Sequence, residues 1–128
     1  MCRMAKILVV EDEISLQKAM MDVLTLNGYE AIGAGNGEEG LQRAKSDNPD
    51  LILLDIILPK MNGFDVLKEL KANDATKAIP VIVLTNLEGS GDIEQALSLG
   101  ATTYLVKTNY ELDDIVKRVR GALAKSKA

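Results

Sequence analysis

The sequence predicts an α/β fold, a (βα)₅ doubly wound three-layer sandwich with a five-stranded parallel sheet between two layers of helices. Three observations carry this. Short apolar runs alternate with amphipathic stretches five times, the pattern that parallel strands and their crossover helices produce. Most of the runs are almost continuously apolar, as strands buried on both faces are. The stretches between them repeat apolar residues at helical spacing.

Taken in order, Ile7 to Val10 is the first strand, and Leu16, Met20, Val23 and Leu24 share one face of the helix after it. Gly28 stands where a helix C-terminus wants a left-handed residue. The run Tyr29 to Ala34 carries a charge and a glycine, which places it at an edge of the sheet. Leu41 and Ala44 anchor a shorter second helix that ends before Asn48-Pro49. Leu51 to Leu54 is the third strand, and Val66, Leu67 and Leu70 mark the third helix. Val81 to Leu84 is the fourth strand, and Ile93, Ala96 and Leu97 predict one apolar face on the fourth helix. Gly100 is again a helix stop. Tyr104 to Val106 is the fifth strand. Thr108-Asn109-Tyr110-Glu111 reads as a capping box for the last helix, whose stripe is Leu112, Ile115, Val116, Val119 and Leu123. Its acids come early and its bases late, matching the helix dipole. Strand order 2-1-3-4-5 is the expected winding.

The length of 128 residues supports one domain, residues 1–128, with a core over about 5–124. There is no histidine, which excludes histidine general-base chemistry, Ser-His-Asp and Cys-His pairs, and imidazole zinc sites. Cys2 is a lone cysteine, so no intramolecular disulfide forms, in keeping with a reducing compartment. The longest apolar stretch, Leu51 to Leu58, is broken by Asp55 and too short for a membrane span. The segment after Arg3 and Lys6 is too short for a signal-peptide core, so a cytoplasmic protein is expected. Fifteen basic residues against nineteen acidic ones, a net charge of −4, argue against direct nucleic-acid binding.

In a doubly wound fold, ligands bind outside the carboxyl ends of the strands. There the first strand delivers Glu11-Asp12-Glu13, the third Asp55, the fourth Thr85-Asn86 and the fifth Lys107. The second delivers only Gly33-Ala34-Gly35-Asn36 and is expected to lie outside this group. Glu11, Asp12 and Asp55 would repel one another unless a cation neutralised them. A hard divalent ion, Mg²⁺ or Mn²⁺, suits oxygen ligands. Three carboxylates against a divalent ion and the Lys107 ammonium balance to zero, a pocket able to accept a phosphoryl group. Glu13 reads as a first-turn acid only.

Over nearly its whole length the sequence resembles the receiver domain of two-component response regulators, in its stand-alone, chemotaxis-regulator-like form. The resemblance is carried by Lys6-Ile7-Leu8-Val9-Val10-Glu11-Asp12-Glu13, by Leu53-Leu54-Asp55-Ile56-Ile57-Leu58-Pro59-Lys60-Met61-Asn62-Gly63, by Val83-Leu84-Thr85, and by Gly100-Ala101 with Tyr104-Leu105-Val106-Lys107. It implies that Asp55 is the phosphoacceptor, served by a histidine kinase or a histidine phosphotransfer protein. It makes Asp12, Asp55 and the backbone carbonyl of Ile57 direct Mg²⁺ ligands, with Glu11 acting through water. Thr85 and Tyr104 become the switch pair and Lys107 the phosphoryl clamp. It further implies an output surface of helix four, strand five and helix five for a downstream protein, and either a monomer or a phosphorylation-dependent homodimer. Gly89 and Gly91 would make the loop after Thr85 compliant. Such a chain assists its own phosphorylation and dephosphorylation and turns over no separate product, so it is not expected to be an enzyme.

Two positions depart from the family pattern. Thr108 follows Lys107 where proline is usual and the peptide bond is commonly cis, so the expectation is a trans bond with a shifted Lys107 or a strained cis bond, which costs about 3–4 kcal/mol before a non-proline residue. Asn86 follows Thr85 in place of a small residue and is expected to alter dephosphorylation. Other classes fit less well. A flavodoxin-like cofactor binder needs a Gly, Ser and Thr rich loop where Glu11-Asp12-Glu13 stands. An aspartyl-phosphate hydrolase of the haloacid type needs Asp-x-Asp, and Ile57 occupies the second position. A degenerate receiver acting as a scaffold, and a receiver cut from a longer, for example DNA-binding, regulator, are the alternatives within signalling. The last helix runs almost to Ala128, so no output domain is expected within these residues.

Overall fold

The computed structural model describes residues 4–56, 62–85, 90–106 and 112–126. Strands β1 (Lys6–Val10), β2 (Glu30–Ala34), β3 (Leu51–Asp55), β4 (Val81–Thr85) and β5 (Thr103–Val106) alternate with helices α1 (Ile14–Leu26), α2 (Gly37–Asp47), α3 (Gly63–Ala72), α4 (Ser90–Ser98) and α5 (Leu112–Ser126). The sheet is parallel throughout, with order β2-β1-β3-β4-β5. The predicted class, winding and edge position of β2 therefore hold.

Alternation along the strands divides the core into two layers. Leu8, Val10, Ile52, Leu54, Val81 and Val83 face Ala44 of α2, Val66, Leu67 and Leu70 of α3, and Ala96 of α4. Ile7, Val9, Leu51, Leu53, Ile82 and Leu84 face Met20 and Leu24 of α1, and Ile115, Val119 and Leu123 of α5. Burial on both faces is why these runs contain almost no polar residue. Gly28 and Gly100 take φ of 89° and 108°, as predicted for helix stops.

α2 begins with a reciprocal cap. The Asn36 side chain accepts from the Glu39 N–H at 2.9 Å, and the Glu39 carboxylate accepts from the Gly35 N–H at 3.0 Å. One predicted face is corrected. Ala96 is buried, but Leu97 is 43% exposed, because successive helical residues point about 100° apart and a short helix on the sheet turns only one of them inward. The capping box over Thr108 to Glu111 lies outside the described residues. Among the described residues, no helix is long and apolar enough to cross a membrane.

Candidate functional site

Neighbouring strands β1 and β3 end at the same level because their registers run in step, Val10 opposite Leu54. The chain leaves β1 as Glu11, whose N–H extends the ladder toward β2 by donating to the Ala34 carbonyl at 3.0 Å. β3 ends at Asp55, paired with Leu84, and the next N–H, that of Ile56, donates to the Leu84 carbonyl at 3.0 Å. Strand pairing thus carries Glu11, Asp12 and Asp55 to one point of the sheet edge.

Glu11 and Asp55 are buried, at 1% and 3% exposure, while Asp12 is exposed. One carboxylate oxygen from each of the three lies within 4.8 Å of the others. The Glu11 carboxylate is held from behind by the Glu13 N–H, which donates to its Oε2 at 3.1 Å. Glu13 is itself the N-cap residue of α1, without a side-chain cap bond. Two carboxylates out of water beside a third at the rim form a strongly negative site whose repulsion a cation relieves. The donor set is all oxygen, which fits Mg²⁺ or Mn²⁺. Ligands about 2.0–2.1 Å from one ion span at most roughly 4.2 Å, a separation comparable to the 4.8 Å within which these oxygens lie.

The segment beyond Asp55 returns at Asn62-Gly63. Asn62 caps α3, its side chain accepting from the Phe64 N–H at 2.7 Å, and the Gly63 N–H donates to the Ile56 carbonyl at 2.8 Å. A Cβ on Gly63 would meet Ile56 Cα at 2.5 Å and the Asp55 carbonyl oxygen at 2.6 Å. This glycine therefore serves close backbone approach between the end of β3 and the start of α3.

The backbone of Thr85 ends β4 opposite Val106, the residue before Lys107. Tyr104 pairs with Val83 and is half-buried against the α2–α3–α4 layer. Ile57, Asn86, Gly89, Lys107 and Thr108 lie outside the described residues, as does the side chain of Thr85. Expectations for the Ile57 carbonyl, the Lys107 clamp, the Lys107–Thr108 bond and the effect of Asn86 lie there with them.

Sequence reasoning missed Gln17. Its amide nitrogen donates to the carbonyls of Glu11 and Ala34, each at 2.9 Å, tying the end of β2 to the acidic loop. β2 is thus connected to the site it was expected to lie outside. A signal was available, since Gln17 precedes Met20, Met21 and Leu24 at helical spacing and is a polar residue at the head of an apolar stripe.

A parallel five-stranded sheet carrying an acidic cluster at the carboxyl ends of two neighbouring strands defines the class, and comparison with known proteins identifies it. Residues 7–120 match the model of the response regulator receiver domain, and the chain belongs to that family. It is 41% identical over 123 residues to the transcriptional regulatory protein CiaR of Streptococcus pneumoniae, covering 96% of this chain and 53% of that one. It is 37% identical over 121 residues to the alkaline phosphatase synthesis transcriptional regulatory protein PhoP of Bacillus subtilis, covering 94% and 49%. Among solved structures, the chemotaxis protein CheY4 of Vibrio cholerae superposes with a TM-score of 0.88 at 30% identity, covering 94% of this chain and 99% of that one. The chain spans about half the length of transcriptional regulators such as CiaR and PhoP.

Proposed function

We propose that this receiver domain is a phosphorylation-operated switch of a two-component phosphorelay, acting in the cytoplasm. An Asp55 carboxylate oxygen attacks the phosphorus of a phosphohistidine on a histidine kinase or phosphotransfer protein, and the P–N bond to the partner's imidazole breaks. That histidine lies outside these 128 residues, which contain none. The observation that carries the reading is the meeting of buried Asp55 with Glu11 and Asp12 within 4.8 Å. A divalent ion held by Asp12, Asp55 and the Ile57 carbonyl, with Glu11 acting through water, would supply positive charge for the phosphoryl oxygens. The family resemblance gives Lys107 and Thr85 the role of binding the same oxygens. Movement of Thr85 and Tyr104 then changes the face of α4, β5 and α5 offered to a downstream protein. The chain promotes gain and loss of its own phosphoryl group and is not an enzyme acting on a separate substrate.

The test is incubation with Mg²⁺ and acetyl phosphate, read by intact mass. One added phosphoryl group is expected, absent in Asp55→Asn and after chelation, and a label that persists in Asp55→Asn overturns the assignment.

The coverage of about half of CiaR and PhoP supports a second reading, in which these residues are the receiver of a longer transcriptional regulator. Immunoblotting of source cells separates the two. A band near 13.8 kDa fits a stand-alone switch, and one of roughly double that mass fits the longer protein.

A further inference from the structure

The side chain of Gln17, in the first turns of α1, spans the gap between the ends of β1 and β2. One amide hydrogen goes to the Glu11 carbonyl and the other to the Ala34 carbonyl, each at 2.9 Å. Only an NH₂ group can face two carbonyl oxygens, so the partners determine the orientation of the amide. Gly33 makes room for it. A Cβ there would lie 2.7 Å from Gln17 Oε1 and 2.9 Å from its Cδ. The Glu11 carbonyl belongs to the peptide that joins Glu11 to Asp12, so whatever holds that oxygen sets the plane from which Asp12 departs.

We infer that Gln17 is a positioning residue for the divalent-cation site, with Gly33 as its steric partner. It fixes the Glu11–Asp12 peptide so that Asp12 enters the cluster beside Asp55. The Glu13 N–H on Glu11 Oε2 fixes the neighbouring carboxylate. Edge strand β2, which contributes no acid, thereby shapes metal affinity through the Ala34 carbonyl and the space above Gly33. This inference rests on reading Glu11, Asp12 and Asp55 as a divalent-cation site.

The test is calorimetric titration with Mg²⁺ alone of the full chain, Gln17→Met, Gly33→Ala and the double variant. Methionine nearly matches glutamine in shape and has no N–H, whereas Gly33→Ala leaves Gln17 intact and pushes it from its seat. Outer-shell losses of this kind weaken metal binding by about tenfold, and that is expected for each single variant. The double variant should be no worse than either, because both remove the same support. At saturating Mg²⁺, labelling by acetyl phosphate should return to the wild-type rate. In metal-free protein, the Gln17 side-chain amide protons should exchange slowly with solvent in the wild type and rapidly in Gly33→Ala.

Wild-type affinity in Gln17→Met, additive losses in the double variant, or a rate defect that survives saturating Mg²⁺ would each overturn the inference and leave the cation site standing. Absence of Mg²⁺ binding by the wild-type chain would overturn the site itself, and the inference with it.

Discussion

Gly63 lies so close under Asp55 that a Cβ on it would sit 2.6 Å from the Asp55 carbonyl oxygen, with Ile56 Cα at 2.5 Å. Both atoms are backbone and cannot swing aside. Gly63→Ala must therefore displace the start of α3 or the end of β3. Overpacking of this kind costs roughly 1–3 kcal/mol, to be read by urea denaturation. Phosphoryl uptake at Asp55 should fall with it, whereas Gly35→Ala, which meets nothing within 4 Å, should leave both close to wild type.

Metal removal should be visible in stability. A cation that binds only the folded chain adds about 2.7 kcal/mol when present at roughly 100 times its Kd. The melting temperature is expected to rise with Mg²⁺ and to fall back on chelation. In Asp55→Asn, with one ligand charge gone, the Mg²⁺ response should shrink, and an undiminished response would contradict a site that includes Asp55.

The reciprocal cap of α2 offers a local test. Asn36→Ala removes the acceptor for the Glu39 N–H and should cost about 1 kcal/mol, by equilibrium denaturation. Mg²⁺ affinity should be unchanged, because this cap does not touch the Glu11 carbonyl.

Lys71 makes a prediction about pH. Its ammonium donates to the Ile79 carbonyl at 2.8 Å and the Lys77 carbonyl at 3.2 Å, and burial lowers its pKa below the usual 10.5. Between that lowered value and 10.5 the unfolded chain holds more protons than the folded one, so this group makes stability rise with pH across that window. Below the window the full desolvation cost is present. Denaturation midpoints measured from pH 7 to 10.5 should show a flatter alkaline rise in Lys71→Met than in the wild type.

Fold and winding were legible in the sequence because burial on both faces leaves runs such as Leu51 to Leu54 without polar residues. Glycines 28 and 100 were legible as helix stops because their backbone conformation excludes most side chains. Leu97 was misread because periodicity alone does not say which of two adjacent apolar residues a short helix turns inward. Asp12 and Asp55 were legible as partners only through strand order. The contribution of β2 was not legible, since it is made by the Ala34 carbonyl and by the missing Cβ of Gly33, neither of which has a side-chain signature.

The sequence by itself determined which runs form the buried strands, where helices α1 and α4 stop, which acids end strands β1 and β3, and that any phosphohistidine must lie outside these residues. These follow from local properties: apolar period, backbone freedom and residue chemistry. The tertiary structure decided that Glu11 and Asp55 are out of water while Asp12 is not, that Gly63 answers to the Asp55 backbone, and that Gln17 joins the carbonyl ending β2 to one in the loop after β1. Those depend on how segments come together in space, which strand register and helix packing set.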